Sequence, residues 1–306
     1  MLTRRTTLLA KKETVYGTDP TPVAGDAVLC KVDGFRVIGD ALVRDYHRSK
    51  LSPLAHVIGE VYSEIKFSTE LKGSGAAGTA PELSPLFQAC GFSETIVALT
   101  SVTYLPESDT FPSCTIYFYR DGILYEMNGC RGTFDIDLSV GKYGVINWTF
   151  QGLYVAPIDA ALIDGTYDST VPPPILSAAF SIQAYSAVAT KLALSAANRL
   201  AFRRDLSNAN GIQEVLITDW DERGGSFDPE AVTVATHNFH SIWKAGTAAA
   251  MSIVVGSAAG NICTITAPKV QYREINPAER DGLYTYEVPI RLAQNAGDDE
   301  LSIAFT

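Results

Sequence analysis

"YRDGILYEMNGCRGTFDIDLSVGKYGVINWTFQGLY", Tyr119 to Tyr154, alternates apolar and polar residues between glycine-bearing turns. Phe134, Ile136 and Leu138 oppose Thr133, Asp135 and Asp137, while Ile146, Trp148 and Phe150 oppose Asn147, Thr149 and Gln151. A period of two marks strands with one buried and one wet face. The stretch therefore reads as antiparallel strands of a half-exposed sheet.

The pattern returns downstream. When each residue from Cys114 to Tyr154 is laid over the one 138 positions later, Gly122 meets Gly260, Leu124 meets Ile262 and Met127 meets Ile265. Further on, Arg131 meets Lys269, Phe134 Tyr272, Gly144 Gly282, Ile146 Tyr284 and Trp148 Tyr286. In the second copy Tyr284, Tyr286, Val288 and Ile290 oppose Thr285, Glu287 and Arg291. A one-residue slip would turn every side chain to the other face, so agreement of phase over this length points to a duplication.

Further strands are expected at Ala27–Val37, Val57–Leu71, Thr95–Leu105, Ala179–Tyr185, Lys191–Leu194, Leu200–Arg204, Gln213–Thr218, Met251–Val255 and Leu301–Phe305. Helices are short and few, Ser84–Cys90 and Phe239–Ala245. Ser84 is expected as N-cap, Pro85 as first helical residue and Gly91 as left-handed stop. The triple proline Pro172–Pro174 lies in a segment that reads as an extended spacer. The division expected is a first module at 1–158, a linker at 159–177 and a second module at 178–306.

Gly73-Ser74-Gly75-Ala76-Ala77-Gly78 spells G-x-G-x-x-G, which raises a dinucleotide-binding enzyme as a reading. Its mechanics do not fit. The feeding strand should be buried on both faces, yet Ile65, Phe67 and Leu71 alternate with Lys66, Ser68 and Glu70. The helix should start inside the glycines, yet Pro81 and Pro85 push it downstream. The simpler reading is a flexible loop before a short helix, and no cofactor is expected.

The 306 residues include 46% hydrophobic, enough for a core in each half, and only 19% charged, below the usual quarter. A surface short of charge often completes its burial against other chains. Net charge is -10 with no basic run, so no grip on nucleic-acid phosphates is expected. The five cysteines form no C-x-x-C and read as small buried hydrophobes in a reducing compartment. The N-terminus has too short an apolar patch for a secretion signal, and no stretch is long enough to span a membrane. His237 and His240 have a spacing that could seat a metal, but a third ligand is missing. Asp219, Asp221 and Glu222, like Asp298, Asp299 and Glu300, sit in turn-like contexts that read as solvated. No G-x-S-x-G elbow occurs. The residues favour structure or binding over catalysis.

Leu71–Phe92, Tyr119–Tyr154, Gly260–Ile275 and the opening Lys11–Pro22 together resemble major tail tube proteins of long-tailed bacteriophages. The internal echo resembles members in which two tail tube modules are fused. The resemblance implies a mostly β fold of two tandem β-sandwich or barrel-like modules, each with a short flanking helix. It implies a homotrimeric ring with pseudo-sixfold symmetry, stacked into a hollow tube in the virion and assembled in the host cytoplasm. Tape measure, tail terminator and tail tip proteins would be partners, with no membrane involved. DNA would pass through without specific binding. On this reading Asp135, Asp137, Asn147, Thr149, Thr285, Glu287 and Arg291 line the channel, an acidic wall that repels phosphate. Arg44, His47, Arg48, Lys50 and Leu51 lie in a long loop of the kind that is functional or disordered. They are expected to serve ring stacking, with Asp219, Asp221 and Glu222 as acidic counterparts. Rival readings are another tail component of similar fold (a terminator, a minor tail protein or a contractile inner tube), a carbohydrate-binding sandwich, and the nucleotide enzyme above.

Overall fold

The computed structural model describes residues 2–220 and 223–306. Along the first half run β1 (Thr6–Lys12), β2 (Cys30–Leu42), β3 (Val57–Glu70), α1 (Ser84–Ala89), β4 (Phe92–Val97), β5 (Ser101–Pro106), β6 (Cys114–Arg120), β7 (Ile123–Ser139), β8 (Val145–Tyr154) and β9 (Ile158–Asp159). The second half holds β10 (Ala179–Ile182), β11 (Ala189–Ser195), β12 (Arg199–Arg204), β13 (Ile212–Asp219), β14 (Gly224–Pro229), α2 (Phe239–Ala245), β15 (Ala249–Val255), β16 (Cys263–Tyr272), β17 (Asn276–Arg280), β18 (Leu283–Ala293) and β19 (Ser302–Phe305). The fold is mostly β, with large antiparallel sheets and two short helices. The described strands form no closed barrel.

The two halves share one strand order. In the first, antiparallel neighbours run β2–β3–β8–β7–β6–β1. In the second they run β11–β14–β18–β16–β15–β10. The helices take equivalent places: α1 follows β3 and α2 follows β14, the second strand in each order. Register is less faithful than order. Phe134 lies opposite Trp148, whereas its sequence counterpart Tyr272 lies opposite Ile290 rather than Tyr286. The slip is even, so every side chain keeps its face.

The halves then join. β11 lies along the C-terminal part of β7, with Leu194 opposite Ile136 and Ser195 opposite Asp135. The C-terminal β19 pairs with β16 on one side and with β5 of the first half on the other. One continuous core runs beneath both halves. Phe87 of α1 packs edge-on against Phe134 and Trp148 and reaches Phe305 of β19. Each large side chain buried in this way contributes roughly 1.5–3 kcal/mol. Buried Trp148 donates its indole N–H to Thr69 Oγ1 at 2.8 Å, so the ring brings no unpaired polar group into the core.

Several local expectations change. Leu83, not Ser84, is the N-cap of α1, because the Ser84 hydroxyl donates to Glu94 Oε1 instead of capping. Gly91, at φ 78°, ends that helix as expected. The stretch Thr95–Leu105 is a hairpin rather than one strand, turning at 98–100 with Leu99 at φ 58°. Four strands were not anticipated: β1, the two-residue β9, β14 and β17. The 159–177 segment is also tied down rather than a free spacer. Ile175 is buried and exchanges backbone hydrogen bonds with the Lys142 region. Buried Lys72 donates to the Asp168 carbonyl at 2.9 Å and pairs with Glu82 at 3.6 Å. Burial holds the Glu82 carboxyl above its usual range despite that lysine.

Candidate assembly surface

Strand pairing assembles the polar face from both halves. Reading across β3, β8, β7, β11, β14, β18 and β16, one row runs Ser68, Asn147, Asp135, Ser195, Gly224, Arg291, Gln271. Asp137 lies one step along β7 on the same face, and Asn147 Nδ2 donates to its carboxylate at 3.0 Å. Thr149 stands opposite Thr133 on that face, and Glu287 shares the parity of Arg291 on β18. The sheet therefore brings Asp135, Asp137, Asn147, Thr149, Glu287 and Arg291 onto one surface. Thr285 shares the parity but is only 3% exposed. Arg280 reaches across β18 over it, at 2.6 Å from Asp228 and 3.3 Å from Glu230.

The sign of this surface is mixed rather than acidic. Lys66, Arg36, Lys191 and Arg280 share the face with Glu64, Asp135, Asp137, Asp228 and Glu287. Several of the cations have acids in contact. Arg36 sits 2.6 Å from Glu64, which also lies 3.8 Å from Lys66. Sequence parity finds the acids but hides these bases, because most of them stand on other strands.

The loop at 43–56 joins β2 to β3 at the far end of a long hairpin. Arg44, His47, Arg48, Lys50 and Leu51 all stand exposed on it. Arg48 folds back to donate to the carbonyls of Ser52 and Pro53. In the second half the matching hairpin is bent. β11 pairs with β14, and beyond a break β12 pairs with β13. Its distal part rests on the first half. Arg131, stacked on the Tyr16 ring, bonds Glu214 at 2.9 Å and the Val215 carbonyl at 2.7 Å. Arg204 forms a two-pronged bond to Glu60, which lowers the Glu60 pKa. Asp219 ends β13, opposite Arg199. Asp221 and Glu222 lie outside the described residues. The stretch that follows is no projecting loop: it is β14, in mid-sheet.

At the break, Arg223 is buried. Its guanidinium meets Glu300 at 2.5 Å, donates to the Ala196 carbonyl and Asn198 Oδ1, and lies over the rings of Phe92 and Trp220. Burial lowers its pKa against the pull of Glu300.

The glycine motif meets the other half of the chain. Gly73 N–H donates to Asn261 Oδ1 at 2.9 Å and Gly75 N–H to the Gly260 carbonyl at 3.0 Å. A Cβ at Gly73 would overlap the Gly260 carbonyl oxygen, and one at Gly78 would meet the Val97 carbonyl oxygen at 2.6 Å. These glycines allow close backbone approach, and two of the amides that a phosphate would need are already used. His237 stacks on Tyr185 with centroids 4.4 Å apart and bonds Tyr272 at 3.2 Å. Among the described residues no three His, Cys, Asp or Glu side chains converge as metal ligands.

Such a molecule is an antiparallel β-sheet protein, built from two halves of like strand order set side by side in an open sheet. A family model described as phage tail tube protein matches residues 3–306, and the chain belongs to that family. No curated protein matches it. It is thus a structural component of a phage tail.

Proposed function

We propose that the protein is the repeating unit of a hollow tail tube. Three copies close into a ring of six like halves, and rings stack into a conduit for DNA. The observation that carries this reading is the seam between β7 and β11. Two sheets of equal strand order already stand edge to edge within one chain. Continuing that arrangement through further copies removes the exposed sheet edges, which otherwise invite aggregation. Head-to-tail contacts that close make rings, and rings related by a screw make filaments.

The mixed polar face supports a passage that does not hold its cargo. A duplex binds when protein cations neutralise its phosphates and set its condensed counterions free, and Arg36 and Arg280 already have carboxylates in contact. The overall charge of -10 acts in the same direction. The loop at 43–56 serves contact between rings. Tape measure, terminator and tip proteins would meet the tube at its axis and ends.

Electron microscopy of the purified, concentrated protein tests this. Hollow tubes or rings with a stain-filled centre are expected. Uniform single-chain particles at all concentrations would overturn it. Counting copies per particle separates a tube protein from a terminator or minor component.

A further inference from the structure

We infer that the seam between copies repeats the seam inside one chain, with β2 of one copy lying along β17 of the next. This rests on the ring reading above and goes beyond it, because it fixes which edges meet and in what register.

Equivalence of strand order supplies the argument. β11 is the second half's counterpart of β2, and it uses its outer edge to pair with β7. The part of β7 it pairs with corresponds, in the second half, to β17. Among the described residues, β2 pairs only with β3, and β17 only with β18. These two open edges are therefore the counterparts of the two that meet at the internal seam.

Burial supports the same pairing. At the internal seam Leu194 of β11 faces Ile136 of β7, which faces Ile146 of β8. These three are 2%, 0% and 0% exposed. Following the pairings across the second half, Leu194 corresponds to Val37, Ile136 to Glu279 and Ile146 to Tyr284. Val37 is 42% exposed and Tyr284 57%. Two apolar side chains thus stand uncovered at the positions whose counterparts are sealed. A second copy, bringing Val37 beside Glu279 and Tyr284, covers both. It also gives hydrogen-bond partners to two rows of strand amides and carbonyls.

The repeat is incomplete in one respect. The internal seam has a second link through β5 and β19, and β5 lies on the insertion between α1 and β6. Between α2 and β15 the chain has only residues 246–248, so no such link recurs between copies.

The test is a double variant, Val37→Cys with Glu279→Cys, assembled and then mildly oxidised. Directly opposed strand residues have Cβ atoms about 4.5–5.5 Å apart, within disulfide reach after small adjustment. A ladder of linked chains on a non-reducing gel is expected, absent from either single variant. Rings that form without any ladder would overturn this seam while leaving the ring reading intact. An unsubstituted protein that never forms rings would sink both. A second measurement avoids substitution: amide exchange at 30–42 and 276–280 in the unsubstituted protein should slow on assembly. Equal exchange in rings and in dispersed chains would overturn the seam.

Discussion

At Gly225 a methyl group would overlap the Ala193 carbonyl oxygen of the neighbouring strand, and at Gly224 that of Ile290. Paired glycines here let β14 lie tightly between β11 and β18. Backbone on both sides cannot yield as a flexible side chain would. Gly225→Ala should therefore cost about 3 kcal/mol, the upper range for overpacking, seen as a lower urea midpoint. Gly25→Ala, with nothing within 4 Å of the added carbon, should leave the midpoint unchanged. The same logic explains Gly73 and Gly78, whose motif resembles a phosphate loop in spelling. Spelling records that backbone approaches something closely; it does not record whether a ligand or another strand is approached.

The long hairpins show how a strand's neighbours decide its role. The loop at 43–56 makes no ladder pairing, and the β2–β3 ladder ends before it at Leu42 and Val57. Deleting Arg44–Ser52 should give folded protein with unchanged far-ultraviolet circular dichroism that forms rings but no tubes. Tubes from that variant would remove the stacking role. Legibility also varies by element. β7, β8 and β18 are plain in the sequence, since half-wet strands alternate. β14 is hidden because Gly224, Gly225, Asp228 and Pro229 have turn composition, and only its two flanking strands make it a strand. β17 is hidden by Pro277 and by charge, both suited to an edge. β1 is masked by the basic residues around its apolar Leu8, Leu9 and Ala10, all buried. The polar face was readable by parity, but the seam was not. Periodicity says which way a side chain points, and is silent on which edge meets which.

Across the whole molecule, one core and one sheet run through both halves. Phe305 and β19 tie the end of the chain to α1 and β5. Separate melting would have to break the β7–β11 ladder and open that core. Unfolding in urea should therefore be one transition. Tryptophan fluorescence from Trp148 in the first half, and Trp220 and Trp243 in the second, should coincide with circular dichroism. Two separated transitions would show that the halves are energetically independent.

The internal seam also has a kinetic consequence. Half of the joints in a six-part ring would be threaded by a peptide, so their partners meet at an effective concentration set by the chain and not by the cell. Assembly would then require two diffusional encounters before closure in place of five. The remaining joints, lacking the β5–β19 link, would be the lines along which a stressed cylinder parts.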